Sequence, residues 1–332
     1  MQIYTPLNTL TLMNSLSARS MHPLVQILLM LGLAIAGLCV GSFLGLAGAS
    51  LGFGVPLTQL AGLAANPALV PNGWYALMLM QGLQLAGAGA GAALLPLVLR
   101  QGVGRYFAPR PLREAWWLAA VAVLVICLLP VLSPIIAWNA GVHFPSFLQD
   151  FEHWARAEED RLADLTKSLM QFPTAGRLAV GLLVVGVVPA LAEEVVFRGI
   201  MQPNLVRWFG SRHVGVWLTA AVFSAIHVQF FGFVPRMLLG LLLGYLYEWS
   251  GNILVPMAAH FTNNAFQLVL VYLAQHGLLA TAFDPDATPV LPWPTIGGAA
   301  LLGAALLYLL HQRMAAAALA EAPAATSSPS SF

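Results

Sequence analysis

The sequence predicts an all-α fold: a polytopic membrane helix bundle with about eight transmembrane helices. Three observations carry that expectation. The 332-residue chain is 59% hydrophobic. Only 8% of its residues are charged, where a soluble domain carries about 25%. Its mean hydropathy is +0.80, and the apolar residues gather in blocks close to the ~20 residues that a spanning helix needs.

In order, the blocks place helices near 24–49, 74–99, 115–138, 177–206, 213–231, 235–249, 252–275 and 295–313. The first is longer than the ~7–15-residue apolar core of a signal peptide, so it reads as a retained helix. Gly37, Gly41 and Gly45 follow one another at four-residue steps in it, and the second block holds Gly87, Gly89 and Gly91. Such small-residue faces let helix backbones approach closely in a bilayer. The polar stretch between the third and fourth blocks carries Asp150, Glu152, Glu158, Glu159, Asp160 and Asp164. There Trp154, Leu162, Leu165 and Leu169 recur at helical spacing, which predicts an amphipathic helix over Phe151–Met170 lying on the membrane surface. The sixth block is short for a span and reads as tilted or partly buried. The domain reading is a polar segment 1–23, one bundle over 24–313 with a polar core at about 177–276, and an Ala/Pro/Ser-rich tail 314–332 of disordered composition.

Charge sets the expected orientation. Arg100, Arg105, Arg110, Arg113, Arg207, Arg212, His213, His311 and Arg313 fall on one side of an eight-span bundle, together with Arg19. That side is expected to be cytoplasmic, with both termini on it, in the cytoplasmic (plasma) membrane. The net charge of +1 predicts no nucleic-acid partner; membrane lipid is the expected surrounding. Cys39 and Cys127 lie in apolar runs and make no disulfide framework.

Against this apolar background three polar elements stand out. Ionisable groups cost at least ~2.5–3.5 kcal/mol each to place at a helix centre in hydrocarbon, so those within spans mark function. The fourth block contains Glu193-Glu194-Val195-Val196-Phe197-Arg198. Residues four apart share a helix face, so Glu194 and Arg198 should pair, which lowers the cost of burying both. Glu193 points about 100° away with no local cation and is the candidate general base, with Glu194 in support. Pro189, one turn earlier, removes a backbone hydrogen bond and should bend the helix. His227 lies in the fifth block, with Phe223 one turn before it and expected to pack on it. His260 and Asn264 share a face in the seventh, Gln267 continues that stripe, and Asn263 turns away by one step. At the helical rise, Glu193 and His227 each lie about 20 Å from the basic end, with His260 and Asn264 at about 12 and 18 Å. The groups thus share one layer, expected to be reached from the cytoplasm.

Taken together, Glu193-Glu194-x-x-x-Arg198, Phe223-x-x-x-His227 and His260-x-x-x-Asn264, with Gly199 after the first, resemble the motif set of the CAAX protease and bacteriocin-processing (CPBP or Abi) family. That family includes the type II CAAX prenyl endopeptidases. The resemblance covers roughly residues 177–276. It implies an intramembrane endopeptidase in which Glu193, helped by His227, activates water, while His260 and Asn264 stabilise the oxyanion. The implied substrate is a peptide or protein, prenylated in part of the family. The family label of metalloprotease makes zinc a possible cofactor, with Glu193, His227 and His260 as the candidate ligands. The His-Glu-x-x-His spacing of helix-borne zinc sites is absent. Two other functions fit buried polar groups: a non-catalytic membrane scaffold or immunity protein, and a proton- or ion-coupled transporter. No internal repeat of the kind transporters carry is evident.

Overall fold

The computed structural model describes residues 21–60, 62–63, 67, 70–279 and 291–320. The polar segment before Met21, Arg19 included, and the part of the tail beyond Ala320 lie outside the described residues. Within them the chain is helical, with no strand.

Nine principal helices follow in order among the described residues: α1 Pro23–Phe53, α2 Gly73–Ala93, α3 Trp116–Ala140, α4 Gln149–Leu169, α5 Ala175–Phe209, α6 Arg212–Ala225, α7 Phe233–Ser250, α8 Leu254–Gln275 and α9 Trp293–Leu319. Six are long and apolar enough to cross a membrane: α1, α2 (continued to Val98), α3, α5, α7 and α9. The chain is a multi-pass integral membrane protein. Helices also form at the other two expected spans, but α6 has only 14 residues. Helix α8 has 22, and its polar stripe His260, Asn263, Asn264 and Gln267 lowers its hydropathy. Helix α9 runs past the expected end of the bundle at 313.

Helices α1 and α2 meet along the glycine seam. A Cβ on Gly37 would stand 2.1 Å from the Gly87 carbonyl oxygen, and one on Gly91 the same distance from that of Leu33. The two backbones touch, as small-residue faces allow. The other flank of α1 faces outward through Ile35, Val40 and Phe43, with Cys39 exposed among them.

Two clusters close the end of the bundle that carries the basic loops. Phe197, Ile200, Met201, Leu205, Phe223, Tyr247 and Ile253 pack around Phe107. Beside them, Trp117, Val121 and Leu124 of α3 meet Leu243, Leu246, Val255 and Leu310.

Helix α4 lies at the opposite end and is amphipathic, as its spacing predicts. Its Leu169 carbonyl accepts from Trp74 Nε1 at 3.1 Å, at the start of α2. Glu159 Oε2 accepts from Phe231 N at 3.3 Å, in the turn before α7. The Arg156 guanidinium stands 3.9 Å over the Phe231 ring. Glu152 accepts from Phe144 N at 2.7 Å and from Arg156 Nη2 at 2.8 Å, and meets His143 Nδ1 at 2.8 Å. These donors, the Phe144 N–H foremost, hold its carboxyl down at a pKa of about 2.

Candidate active site

The site is built on α5. This helix is not regular: π-helical turns occupy Leu182–Val187 and Val195–Met201, on either side of the α-helical turns that carry Glu193 and Glu194. Single π turns inside α-helices occur often at functional sites. Pro189 has no N–H to give the Val185 carbonyl one turn back, and Asn264 Nδ2 from α8 donates to that carbonyl at 3.2 Å. The expected bend is thus taken up by a widened helix, and the freed acceptor is capped by a site residue.

Glu194 and Arg198 pair as their spacing predicts. Arg198 Nη1 donates to Glu194 Oε1 at 2.8 Å, with both side chains fully buried. Arg198 Nη2 donates to the Gly240 carbonyl of α7 at 2.9 Å, and its guanidinium stands 4.9 Å over the Phe223 ring. Glu194 Oε1 has a second neighbour across the bundle, His260 Nδ1 at 2.8 Å. With that oxygen engaged by a cation, Nδ1 must be the protonated nitrogen. The other ring nitrogen, Nε2, lies 3.9 Å from Glu193 Oε2. His260 therefore stands between the two glutamates.

His227 sits just past the end of α6. Its Nδ1 donates to the Phe223 carbonyl at 2.7 Å, which leaves Nε2 as an acceptor. The next residue, Val228, has φ 54. That is the left-handed region, costly for a β-branched side chain, and it keeps the chain from resuming the helix after His227. Phe223 meets both histidine rings edge-on, at centroid distances of 5.1 Å for His227 and 6.0 Å for His260.

Glu193, His227, His260 and Asn264 line one cavity of about 300 Å³, with Phe223 at its wall. Gln267 lines it too, as its stripe predicts. Asn263 corrects the expectation that it turns away: it lines the cavity and donates to Asn264 Oδ1 at 3.1 Å. A space bounded by α5, α6, α7 and α8 is wide enough to take successive residues of one helix. Four lining residues were not singled out from the sequence: Met170, Val185, Arg236 and Leu239. Arg236 carries no motif spacing, and only its place in a largely apolar span could have flagged it.

From His260 and Glu193 the cavity extends toward Met170, Gln267 and Arg236, at the end bearing α4. Toward the basic end, Phe107 packs closely on α5: a Cβ on Gly199 would stand 2.5 Å from its ring.

The three candidate zinc ligands line this cavity without forming a ligand set. Among the described residues no group of three His, Cys, Asp or Glu side chains is placed to hold a metal. His227 Nδ1 and His260 Nδ1 are committed to Phe223 and Glu194. As placed, these residues do not fit a zinc centre, and no step below runs through one.

Comparison with known proteins converges on the same segment. Residues 175–266 match the family described as type II CAAX prenyl endopeptidase Rce1-like, and form a domain of that family. An "Uncharacterized protein YpbD" of Bacillus subtilis (strain 168) is 38% identical over 80 residues, covering 23% of this chain and 38% of that relative. The matched stretch thus spans well under half of that protein. No solved structure matches.

Proposed function

Starting from the family domain at residues 175–266, we propose that the protein is an intramembrane endopeptidase that hydrolyses a peptide bond with water activated by Glu193. The observation that carries this reading is the position of His260, 2.8 Å from Glu194 and 3.9 Å from Glu193, in a cavity that also holds His227 and Asn264. Glu194 is neutralised by Arg198 and fixes the His260 ring. Glu193 is left free to take a proton.

In the reaction, water lies between Glu193 and His227 Nε2, both acceptors. Glu193 removes its proton as the oxygen adds to the scissile carbonyl. The developing oxyanion is met by the second Nδ2 hydrogen of Asn264 and by Nε2–H of His260, whose ring then carries both protons, Nδ1 donating to Glu194. Buried donors aimed at such an oxygen are worth about 10²–10³ in kcat each. Glu193 then passes its proton to the departing amine, the C–N bond breaks, and the new carboxylic acid gives its remaining proton to the freed Glu193 as the carboxylate product leaves.

The substrate is a peptide segment associated with the membrane, and prenylation is one form it can take. With the basic end and both termini on the cytoplasmic side, the cavity opens toward the opposite face. A cysteine placed at Gln171, next to the mouth, tests that arrangement by its reaction with a membrane-impermeant thiol reagent in intact cells.

The activity is tested by comparing protein termini in membranes from cells making the wild type or Glu193→Gln. New N- or C-termini that require Glu193 are expected. Identical termini, with both proteins folded, would refute the protease reading in favour of a scaffold.

A further inference from the structure

Arg236 lies in the cavity wall on the mouth side of Glu193, and nothing in the reaction above uses it. The site's two arginines differ in their partners. Arg198 is fully buried and paired with a carboxylate 2.8 Å away. Among the described residues Arg236 donates only to the neutral side-chain oxygen of Gln229, through Nη2. Its Nη1 is buried and has no protein hydrogen-bond partner among the described residues. The acidic groups that act on it through space are Glu159 of α4 and Glu193. Among the described residues neither comes within 4.0 Å, the limit of an ion pair, and Glu159 Oε2 is engaged by Phe231 N. A guanidinium has five donors in a planar fork, and leaving buried donors unmade is costly. This one is both under-satisfied and uncompensated in charge, at the edge of a cavity that admits a ligand.

We propose that Arg236 is a specificity residue that grips a carboxylate of the substrate. The inference rests on the peptidase reading and narrows its substrate class. Arg236 lies four residues before Gly240, whose carbonyl anchors Arg198 beside Glu194. That is about 6 Å along the helix, and the side chain reaches back by a similar length toward Gly232. At about 3.3 Å per extended residue, the carboxylate sits roughly two to four residues from the bond that is cut. Either an acidic side chain or a free C-terminus can supply it. Arg–carboxylate pairing is bidentate and would use the unpartnered Nη1.

The test is binding to the full-length protein in lipid nanodiscs, in a Glu193→Gln background where no bond is cut. Three probes are compared: a lauroylated tripeptide of alanines with a free C-terminus, its C-terminal amide, and an amide with glutamate as the last residue. The free acid should bind roughly tenfold or more tighter than the amide. Arg236→Gln should abolish that difference, and Arg236→Lys should keep part of it. A glutamate probe that matches the acid shows that a side-chain carboxylate suffices; one that matches the plain amide assigns the C-terminus. Equal affinity for all three probes, or an acid preference that survives Arg236→Gln, overturns the proposal. Should Arg236→Gln not fold, propionate must displace the acid probe more strongly than propionamide does, and equal displacement overturns it too. Acid preference without any Glu193-dependent cleavage would remove the peptidase reading alone. Cleavage without acid preference would remove the role of Arg236 alone.

Discussion

The α1–α2 seam and the α5–α8 site lie in one bundle, but opposite means hold them. At the seam, backbone meets backbone through Gly37, Gly87 and Gly91, with no room for a single methyl group. At the site, α5 and α8 are joined by charge, through Arg198, Glu194 and His260, beside a cavity of about 300 Å³. The seam is intolerant of volume and the site is intolerant of lost charge. In this bundle the space for a ligand lies where charge joins the helices, and the packed seam leaves none.

The largest effect that sharpens this contrast is expected at Glu194. Glu194→Gln leaves Arg198 buried without its carboxylate and should destabilise by about 3–5 kcal/mol, read by thermal unfolding in bicelles. Glu193→Gln should cost about 1 kcal/mol or less while abolishing cleavage. Equal losses from the two would break the division into base and support. At the seam, Gly37→Ala should cost about 1–3 kcal/mol through overpacking, with activity per folded molecule unchanged.

Gly89 joins the two regions, since a Cβ there would stand 2.5 Å from that of Ala192, the residue before Glu193. Gly89→Ala should lower kcat roughly ten- to a hundredfold by shifting α5, with less effect on unfolding than Gly37→Ala. A loss of stability without a loss of rate would show that the seam and the site do not communicate.

The smallest effect belongs to α4, outside both regions. Glu152 falls from 4.5 to about 2 on folding, so the stability it adds is complete above pH 4.5. That contribution is lost as the pH falls toward 2, and Glu152→Gln should flatten acid unfolding over this window.

What could be read in the sequence follows the reach of helical periodicity. The Glu194–Arg198 pair, the Phe223–His227 contact, the stripe from His260 to Gln267, the glycine seam and the amphipathic helix α4 all depend on spacing within one segment, and all are found. The bridge from His260 to Glu194, the capping of Val185 by Asn264, and the place of Arg236 depend on how separate helices rotate against each other. No spacing encodes those rotations. The same limit explains the misjudged Asn263. Two of the eight expected spans fall outside the six for separate reasons: α6 has only 14 residues, and the polar stripe of α8 lowers its hydropathy.

Helix α6, which ends beside His227, has a consequence for the lipid around it. Its 14 residues extend about 21 Å, against a hydrocarbon core of about 30 Å. Its Trp217, Leu218 and Val222, with Ile226 just beyond its end, are exposed and require acyl chains beside them. A hydrophobic mismatch of that size is met by local thinning of the bilayer, at fractions of a kcal/mol per Å. Headgroups and the water they carry then descend toward His227, so the membrane itself becomes a route for water to the cavity that His227 lines.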